Sequence, residues 1–114
     1  MSVHSIIACL ALVAVSISHA GAHELTDGAQ LAREKICMGC HQVDRMRVGP
    51  PFAAVADRYK QGGEQIIDYL ANSIRKGGRG RWGAVPMPAQ PQVTEEDAHA
   101  LAVWILSLAT SGKE

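Results

Sequence analysis

Apolar positions along the chain fall into helical stretches separated by turn-forming residues. Asp27, with Gln30 three residues later, reads as a capping-box-like start for a first helix running towards Ile36. Gly49-Pro50-Pro51 then forces an extended turn, because a residue before proline is pushed out of the helical region. A short second helix is predicted from Phe52 to Tyr59, ended by Gln61-Gly62-Gly63. Ile66, Ile67, Leu70 and Ile74 share one face of a third helix, which Gly77-Gly78 closes. The run from Gly77 to Pro91 is rich in glycine and proline and is predicted to be irregular. Thr94 is an N-cap, and Glu95, Glu96 and Asp97 follow it in the first turn, where the helix dipole favours carboxylates. Leu101, Trp104, Ile105 and Leu108 mark the apolar face of a last helix, stopped near Gly112. No stretch shows sustained period-two alternation, so a single all-α domain of about four helices is expected.

The first residues differ from the rest. All 11 Lys/Arg and all 11 Asp/Glu lie from Glu24 onward. Ile6 to Ile17 form an apolar run, and Ser18-His19-Ala20-Gly21-Ala22 follows with small residues at alternate positions. Residues 1–22 therefore read as a cleavable secretory signal, cut after Ala20 or Ala22, and residues 23–114 as the exported domain. The stretch before the apolar run has His4 and the terminal amine but no Lys or Arg, which makes the signal an atypical one. An uncleaved anchor is the rival reading; the uncharged stretch is only marginally long enough to span, and the small-residue tail favours cleavage. Cys9 precedes most of the apolar run, which is the wrong order for a lipidated cysteine.

Composition narrows what the exported domain can do. Its formal net charge is zero, which argues against a general nucleic-acid binder. Apolar residues make up 47% of the chain, which argues against disorder, and nothing after the leader is built to stay in a bilayer. Phe52, Tyr59, Tyr69, Trp82 and Trp104 are the only aromatics. So thin a core calls for a staple such as a metal, a cofactor or a disulfide.

The staple is suggested by Cys37-Met38-Gly39-Cys40-His41. A zinc knuckle needs a second ligand pair, and His23 and His99 lie at the two ends without ligand spacing. A thioredoxin-type pair belongs in a βαβ setting, and a disulfide across two residues closes too small a loop to stabilise much. The C-x-x-C-H pattern itself signals covalent c-type haem attachment. Two cysteines on one turn reach the vinyl groups, and the next residue puts an imidazole under the iron.

The opposite face of the iron is either open, for gases or peroxide, or closed by a second ligand. Met38 lies between the anchoring cysteines, and Met46 is close enough to His41 to stay on its side. Met87 has enough chain before it to wrap round a haem edge. It sits in Val85-Pro86-Met87-Pro88, where flanking prolines hold the backbone extended. Methionine is most often a gap-filler. A proline-braced methionine in an irregular loop is an odd one, and Met87 is preferred as the sixth ligand over Met38, Met46, His23 and His99.

From about Thr26 to Leu108 the sequence resembles the small monohaem class I cytochromes c of bacterial periplasms, the short soluble type of denitrifiers and nitrifiers. The residues that carry the resemblance are Cys37-Met38-Gly39-Cys40-His41, Val48-Gly49-Pro50, Trp82-Gly83-Ala84-Val85-Pro86-Met87-Pro88 and Leu101-Ala102-Val103-Trp104-Ile105-Leu106. The resemblance implies thioether anchors at Cys37 and Cys40, His41 as proximal and Met87 as distal iron ligand. It also implies that the Pro50 carbonyl accepts a hydrogen bond from His41, and that the Trp82 indole reaches a haem propionate. Phe52, Leu70, Ile74 and Val85 would line the pocket. Three positions depart from the pattern. Gln90 stands where relatives carry an asparagine that bonds the methionine sulfur. Ser73 stands where some carry a propionate-binding arginine, a task that would pass to Arg75 or Arg81. Ala32 replaces a bulky aromatic, implying looser packing on Trp104.

Charge is unevenly spread. Arg75, Lys76, Arg79 and Arg81 form an acid-free run before Met87. Such a rim would steer the protein onto redox partners with acidic docking surfaces through a small, salt-sensitive interface. Arg45 and Arg47 read as a solvated face. The combined expectation is a soluble, monomeric periplasmic carrier of single electrons with one covalent haem c and its iron. The alternatives are a haem relay subunit of a multi-subunit dehydrogenase or reductase, and a haem sensor or peroxidase with an open sixth site. No acid/base pair or nucleophile constellation is seen.

Overall fold

The computed structural model describes the backbone from residue 20 to 110 and side chains from residue 27 to 110. The predicted leader falls outside the described residues except for the backbone of its last three. Among the described residues four helices follow one another, α1 (Ala20–Glu34), α2 (Phe52–Tyr59), α3 (Gln65–Lys76) and α4 (Glu95–Ser107), with one 3-10 turn at Cys37–Gly39 between α1 and α2. The backbone contains no strand among the described residues, only an isolated antiparallel bridge between Gly78 and Met87.

Helix α4 is the centre of the fold and packs against each of the other three. Leu101, Ala98, Ala102, Trp104 and Ile105 are its buried face. Burying a leucine as completely as Leu101, which is 1% exposed, contributes about 1.5–3 kcal/mol. Thr94 caps α4, its hydroxyl accepting from the Asp97 N–H at 3.1 Å. Asp97 in turn pairs with Lys35 beyond the end of α1, at 2.8 Å.

The ends of the elements depart from expectation in three places. Helix α1 begins at Ala20 rather than Asp27, because Ala20, Ala22, Glu24 and Leu25 favour helix, no proline intervenes before Asp27, and Gly21 lies in the first turn. Gln30 donates instead to Glu34 at 2.9 Å. The same helix stops at Glu34, and Ile36 turns left-handed (φ 64°) to enter the cysteine turn. Helix α4 ends at Ser107, well before Gly112. There the Thr110 N–H and hydroxyl are captured by Asp57 of α2, both at 2.9 Å, which pulls the chain off the helical path.

Packing between α1 and α4 is tight rather than loose. Ala32 is fully buried, and Trp104 lies directly on Gly28: a Cβ there would stand 2.3 Å from the Trp104 Cβ. The absence of an aromatic at position 32 is met by close approach of the two helices. Phe52 continues this core, its ring edge-on to Trp104 at 5.4 Å between centroids.

Candidate functional site

The site is built around the turn after α1. Cys37–Gly39 is one 3-10 turn, and the N–H groups of Cys40 and His41 both return to the Cys37 carbonyl, at 3.2 and 3.0 Å. This tight return places two thiols and an imidazole on consecutive faces of one turn. Both cysteines are unpaired; Cys40 is exposed and Cys37 half-buried, and burial pushes the Cys37 thiol up from its ordinary range.

His41 is buried and fixed from three sides. Its Nδ1 lies 2.8 Å from the Pro50 carbonyl. A carbonyl can only accept, so Nδ1 carries the proton and Nε2 keeps the lone pair that a metal needs. The Phe52 ring stacks on the imidazole at 4.8 Å, nearly parallel. On another side lies Gly49, where a Cβ would meet the imidazole Cε1 at 2.5 Å. The Gly49 N–H donates to Cys40 O at 2.7 Å, which folds the Gly49-Pro50 turn back over the ring. Helix α2 has no side-chain cap; the Phe52 and Ala53 N–H groups donate to the carbonyls of Gln42 and Val43, both at 2.9 Å. The backbone from 40 to 53 is thus one hydrogen-bonded loop around the imidazole.

Across the cavity, Met87 is held by its backbone. Its N–H donates to Gly78 O at 2.8 Å, and the Gly78 N–H donates to Met87 O at 3.0 Å. Gly77 ends α3 at φ 70° with its N–H on Ser73 O; a Cβ there would stand 2.4 Å from the Met87 carbonyl oxygen. The Gln90 N–H donates to Arg75 O at 3.1 Å and closes the loop neck a second time.

Between these walls runs an open, largely apolar cavity. Cys40, His41, Pro50, Phe52, Leu70, Ile74, Trp82, Val85 and Met87, all anticipated from sequence, lie on it. Cys37 lies on an adjoining cavity whose wall also includes Cys40, His41, Phe52, Ile74 and Met87. Met38, Met46 and His99 line neither, and His23 falls outside the residues whose side chains are described. Of the two arginines proposed to take over from position 73, Arg81 lines the cavity, whereas Arg75 turns to Glu95 at 3.9 Å. Gln90 does not face a sulfur partner: its amide donates to Pro88 O at 3.0 Å and accepts from Gln92 at 2.8 Å.

Comparison with known proteins gives the family. The family model for cytochrome c matches residues 25–109. The chain belongs to the cytochrome c family. It is 52% identical over 79 residues to cytochrome c-552 of Hydrogenobacter thermophilus, covering 69% of this chain and 79% of that one. It is 42% identical to cytochrome c-551 of Pseudomonas denitrificans, covering 71% of this chain and 96% of that one. The crystal structure of wild-type Nitrosomonas europaea cytochrome c552 superposes with a TM-score of 0.67 at 42% identity, covering 70% of this chain and 98% of that one. The four-helix all-α architecture is therefore the class I cytochrome c fold, and the protein is an electron-transfer protein rather than an enzyme. Its cofactor is haem c with iron, attached covalently through Cys37 and Cys40 of the C-x-x-C-H motif. The residues present fit that group: an apolar cavity, an imidazole with its Nδ1 proton already engaged, and a methionine across the same cavity.

Sequence reasoning missed Arg58. It reaches from α2 over the Trp82 ring, 4.7 Å from its centroid, and donates to Arg81 O at 2.6 Å. A basic residue at a helix end next to Tyr59 carries no local signal of a partner so far along the chain. Tyr59, Tyr69, Val48 and Ile105 also line the cavity without having been singled out for it.

Proposed function

We propose that the protein is a periplasmic carrier of single electrons between respiratory redox proteins, in which His41 and Met87 would hold the haem iron. When bound, the haem supplies one-electron exchange between ferric and ferrous iron. What supports the ligand pair is one observation: His41 and Met87 line the same cavity, and the Pro50 carbonyl leaves the imidazole Nε2 as the free donor atom. Pro50 and Phe52 fix the plane of the ring, so His41 has little freedom to reorient. Met87 is clamped through its backbone at Gly78, which holds its thioether within reach of the cavity. A ligand set held on both sides changes little between oxidation states, and a thioether ligand in an apolar cavity favours the reduced state.

Export rests on the uncharged leader with its small-residue tail. Among the described residues no helix is long and apolar enough to cross a membrane. Redox proteins are the partners of this family, and the basic run Arg75–Arg81 favours partners that present acidic surfaces. A monomer suits this role.

The test is the absorption spectrum of the matured protein, with and without carbon monoxide. The native protein should show the weak long-wavelength sulfur-to-ferric-iron band and should ignore carbon monoxide when reduced. Met87→Ala should lose the band, bind carbon monoxide and fall in potential. A variant that kept its potential and refused carbon monoxide would remove Met87 from the ligand set.

A further inference from the structure

Among the described residues Ile36 is the only one besides glycine with a positive φ, at φ 64° and ψ 21°. The left-handed region disfavours L side chains, and β-branched ones most of all. Local hydrogen bonds set the backbone there: the Ile36 N–H donates to Arg33 O at 3.0 Å, and Ile36 O accepts from the Gly39 N–H at 3.1 Å. Glycine would make the same turn without strain. The cost therefore comes from keeping the side chain. Nothing inside the chain offsets it, because Ile36 is 76% exposed, more than any other large apolar residue described. Strain kept at such a place points to function rather than to stability.

Its position is specific. Ile36 immediately precedes the Cys37 anchor, and a Cβ on Gly39 would stand 3.6 Å from the Ile36 Cγ2, so the side chain leans over the attachment turn. It shares a cavity wall with Cys37 and Cys40. Cys40 is exposed and also borders the main cavity, on which the exposed Val48 and Val85 lie. Ile36, Val48 and Val85 thus flank openings that meet at Cys40. Each has a cation beside it: Arg33 on the turn before Ile36, Arg47 next to Val48, and Arg79 on the same wall as Val85. Among the described residues no carboxylate pairs with Arg33, Arg47 or Arg79, whereas Asp97 matches Lys35 and Asp44 matches Arg45.

We propose that Ile36 is a specificity-determining contact residue, an apolar knob that seats in a carboxylate-edged apolar hollow on the redox protein that exchanges electrons with this one. The proposal rests on the reading of the chain as an electron carrier between proteins. The hollow is apolar because the exposed knob is, and a side chain stiff at χ1 loses little freedom when it docks. Its edge is acidic because Arg33, Arg47 and Arg79 stand unmatched round the openings. A second copy of the chain would bring the same three cations to the contact and is disfavoured. One knob and two valines make a small interface that parts quickly, as a carrier requires.

The test measures adsorption of the haem-loaded protein, by mass, on gold bearing a mixed monolayer of methyl-ended and carboxylate-ended chains. A monolayer of carboxylate-ended chains alone is the control surface. Asparagine tolerates the left-handed turn, so Ile36→Asn removes the knob and spares the backbone. It should weaken adsorption on the mixed surface about five- to twentyfold and leave the carboxylate surface unchanged. Ile36→Val should retain most of the binding. Val103→Asn removes an exposed apolar residue of α4 that lines neither cavity, and it should change nothing. Arg33→Gln with Arg47→Gln should weaken adsorption on both surfaces at low salt and on neither at high salt. Equal losses for Ile36→Asn and Val103→Asn would overturn the contact, and an indifferent arginine pair would overturn the acidic edge. Dependence on Ile36 for binding vesicles of anionic lipid, without dependence on the mixed monolayer, would overturn the protein partner in favour of a membrane surface. The midpoint potential and the unfolding midpoint of Ile36→Asn should not fall; a fall in either would make Ile36 part of the haem site instead of a docking contact. A wild type that adsorbs as expected but exchanges no electrons with the gold would refute the carrier reading, while adsorption by mass would still report on Ile36.

Discussion

The two walls of the haem cavity are built in opposite ways. The wall around His41 comes from one continuous stretch, Cys37 to Ala53, closed by short-range backbone hydrogen bonds. The wall around Met87 is assembled from a loop that touches its own neck at Gly78 and Arg75, and from side chains of α2 and α3. The first needs only local sequence to form. The second needs the helices already packed. Attachment chemistry thus sits where the chain is self-sufficient, and tuning sits where tertiary structure decides the geometry.

The sharpest way to break the contrast is Gly77→Ala. Position 77 has φ 70°, and the new Cβ would press on backbone atoms: 2.4 Å from Met87 O and 2.7 Å from Ala89 N. Backbone strain and overpacking together should cost on the order of 3 kcal/mol. The loop neck should open, so the sulfur-to-iron band should weaken while the haem stays attached. Denaturant unfolding and the absorption spectrum measure both.

Gly49→Ala attacks the other wall. Its Cβ would meet the imidazole of His41 rather than backbone, and a ring can tilt by some tenths of an ångström. The expected cost is about 2 kcal/mol. The Nδ1–H to Pro50 bond should lengthen, visible as faster exchange of that proton in the ferrous protein, with the sulfur-to-iron band retained. If Gly49→Ala erased the band as thoroughly as Gly77→Ala, the two walls would not be independent.

Ile36→Gly sharpens the comparison from the other direction. Ile36 is left-handed at φ 64°, unusual for a β-branched residue, and is 76% exposed, so it contributes little burial. Relief of about 1–2 kcal/mol of strain, less the extra chain entropy of glycine, should raise stability by about 0.5–1 kcal/mol. A fall in the unfolding midpoint would mean that the side chain packs on the bound haem.

These differences explain what could be read in the sequence. Cys37, Cys40, His41 and Pro50 were legible because their geometry is set within a few residues, by a turn and a proline. Helix α2 was legible to its ends because Pro51 and Gly62-Gly63 bracket it. The place of Met87 on the cavity wall was legible through its flanking prolines. The start of α1 was not, since a good cap at Asp27 lost to helix-favouring residues before it. The end of α4 was hidden because Asp57, far back in the chain, takes Thr110 out of the helix. Gly28 looked like an ordinary helical glycine until Trp104 was seen to rest on it. That Arg81 lines the cavity while Arg75 turns to Glu95 was not legible either, since Ser73 and Glu95 are partners that only the fold brings near.

The smallest expected effect concerns pH, and it separates the outer fastenings from the cavity rim. Thr110, through its hydroxyl, and then its N–H and Lys60, hold the Asp57 carboxyl below its ordinary range. Lys35 first, and then Thr94, do the same for Asp97. Each carboxyl has a lower pKa folded than unfolded, so its contribution is complete above the unfolded value, about 3.9, and is lost as pH falls through the lower folded value. Stability should therefore hold from neutral pH to about 5 and decline below about 4, and Asp57→Asn should make that decline shallower. Tyr59 acts at the other limb. Burial, and then its hydrogen bond with Tyr69, raise its pKa, so its contribution is complete below the unfolded value near 10 and fades as pH rises through the higher folded one. Tyr59→Phe should flatten the alkaline limb alone. Unfolding midpoints of the haem-loaded protein against pH would resolve the two; if Asp57→Asn left the acid limb unchanged, the clasp between α2 and the end of α4 would contribute nothing to acid stability.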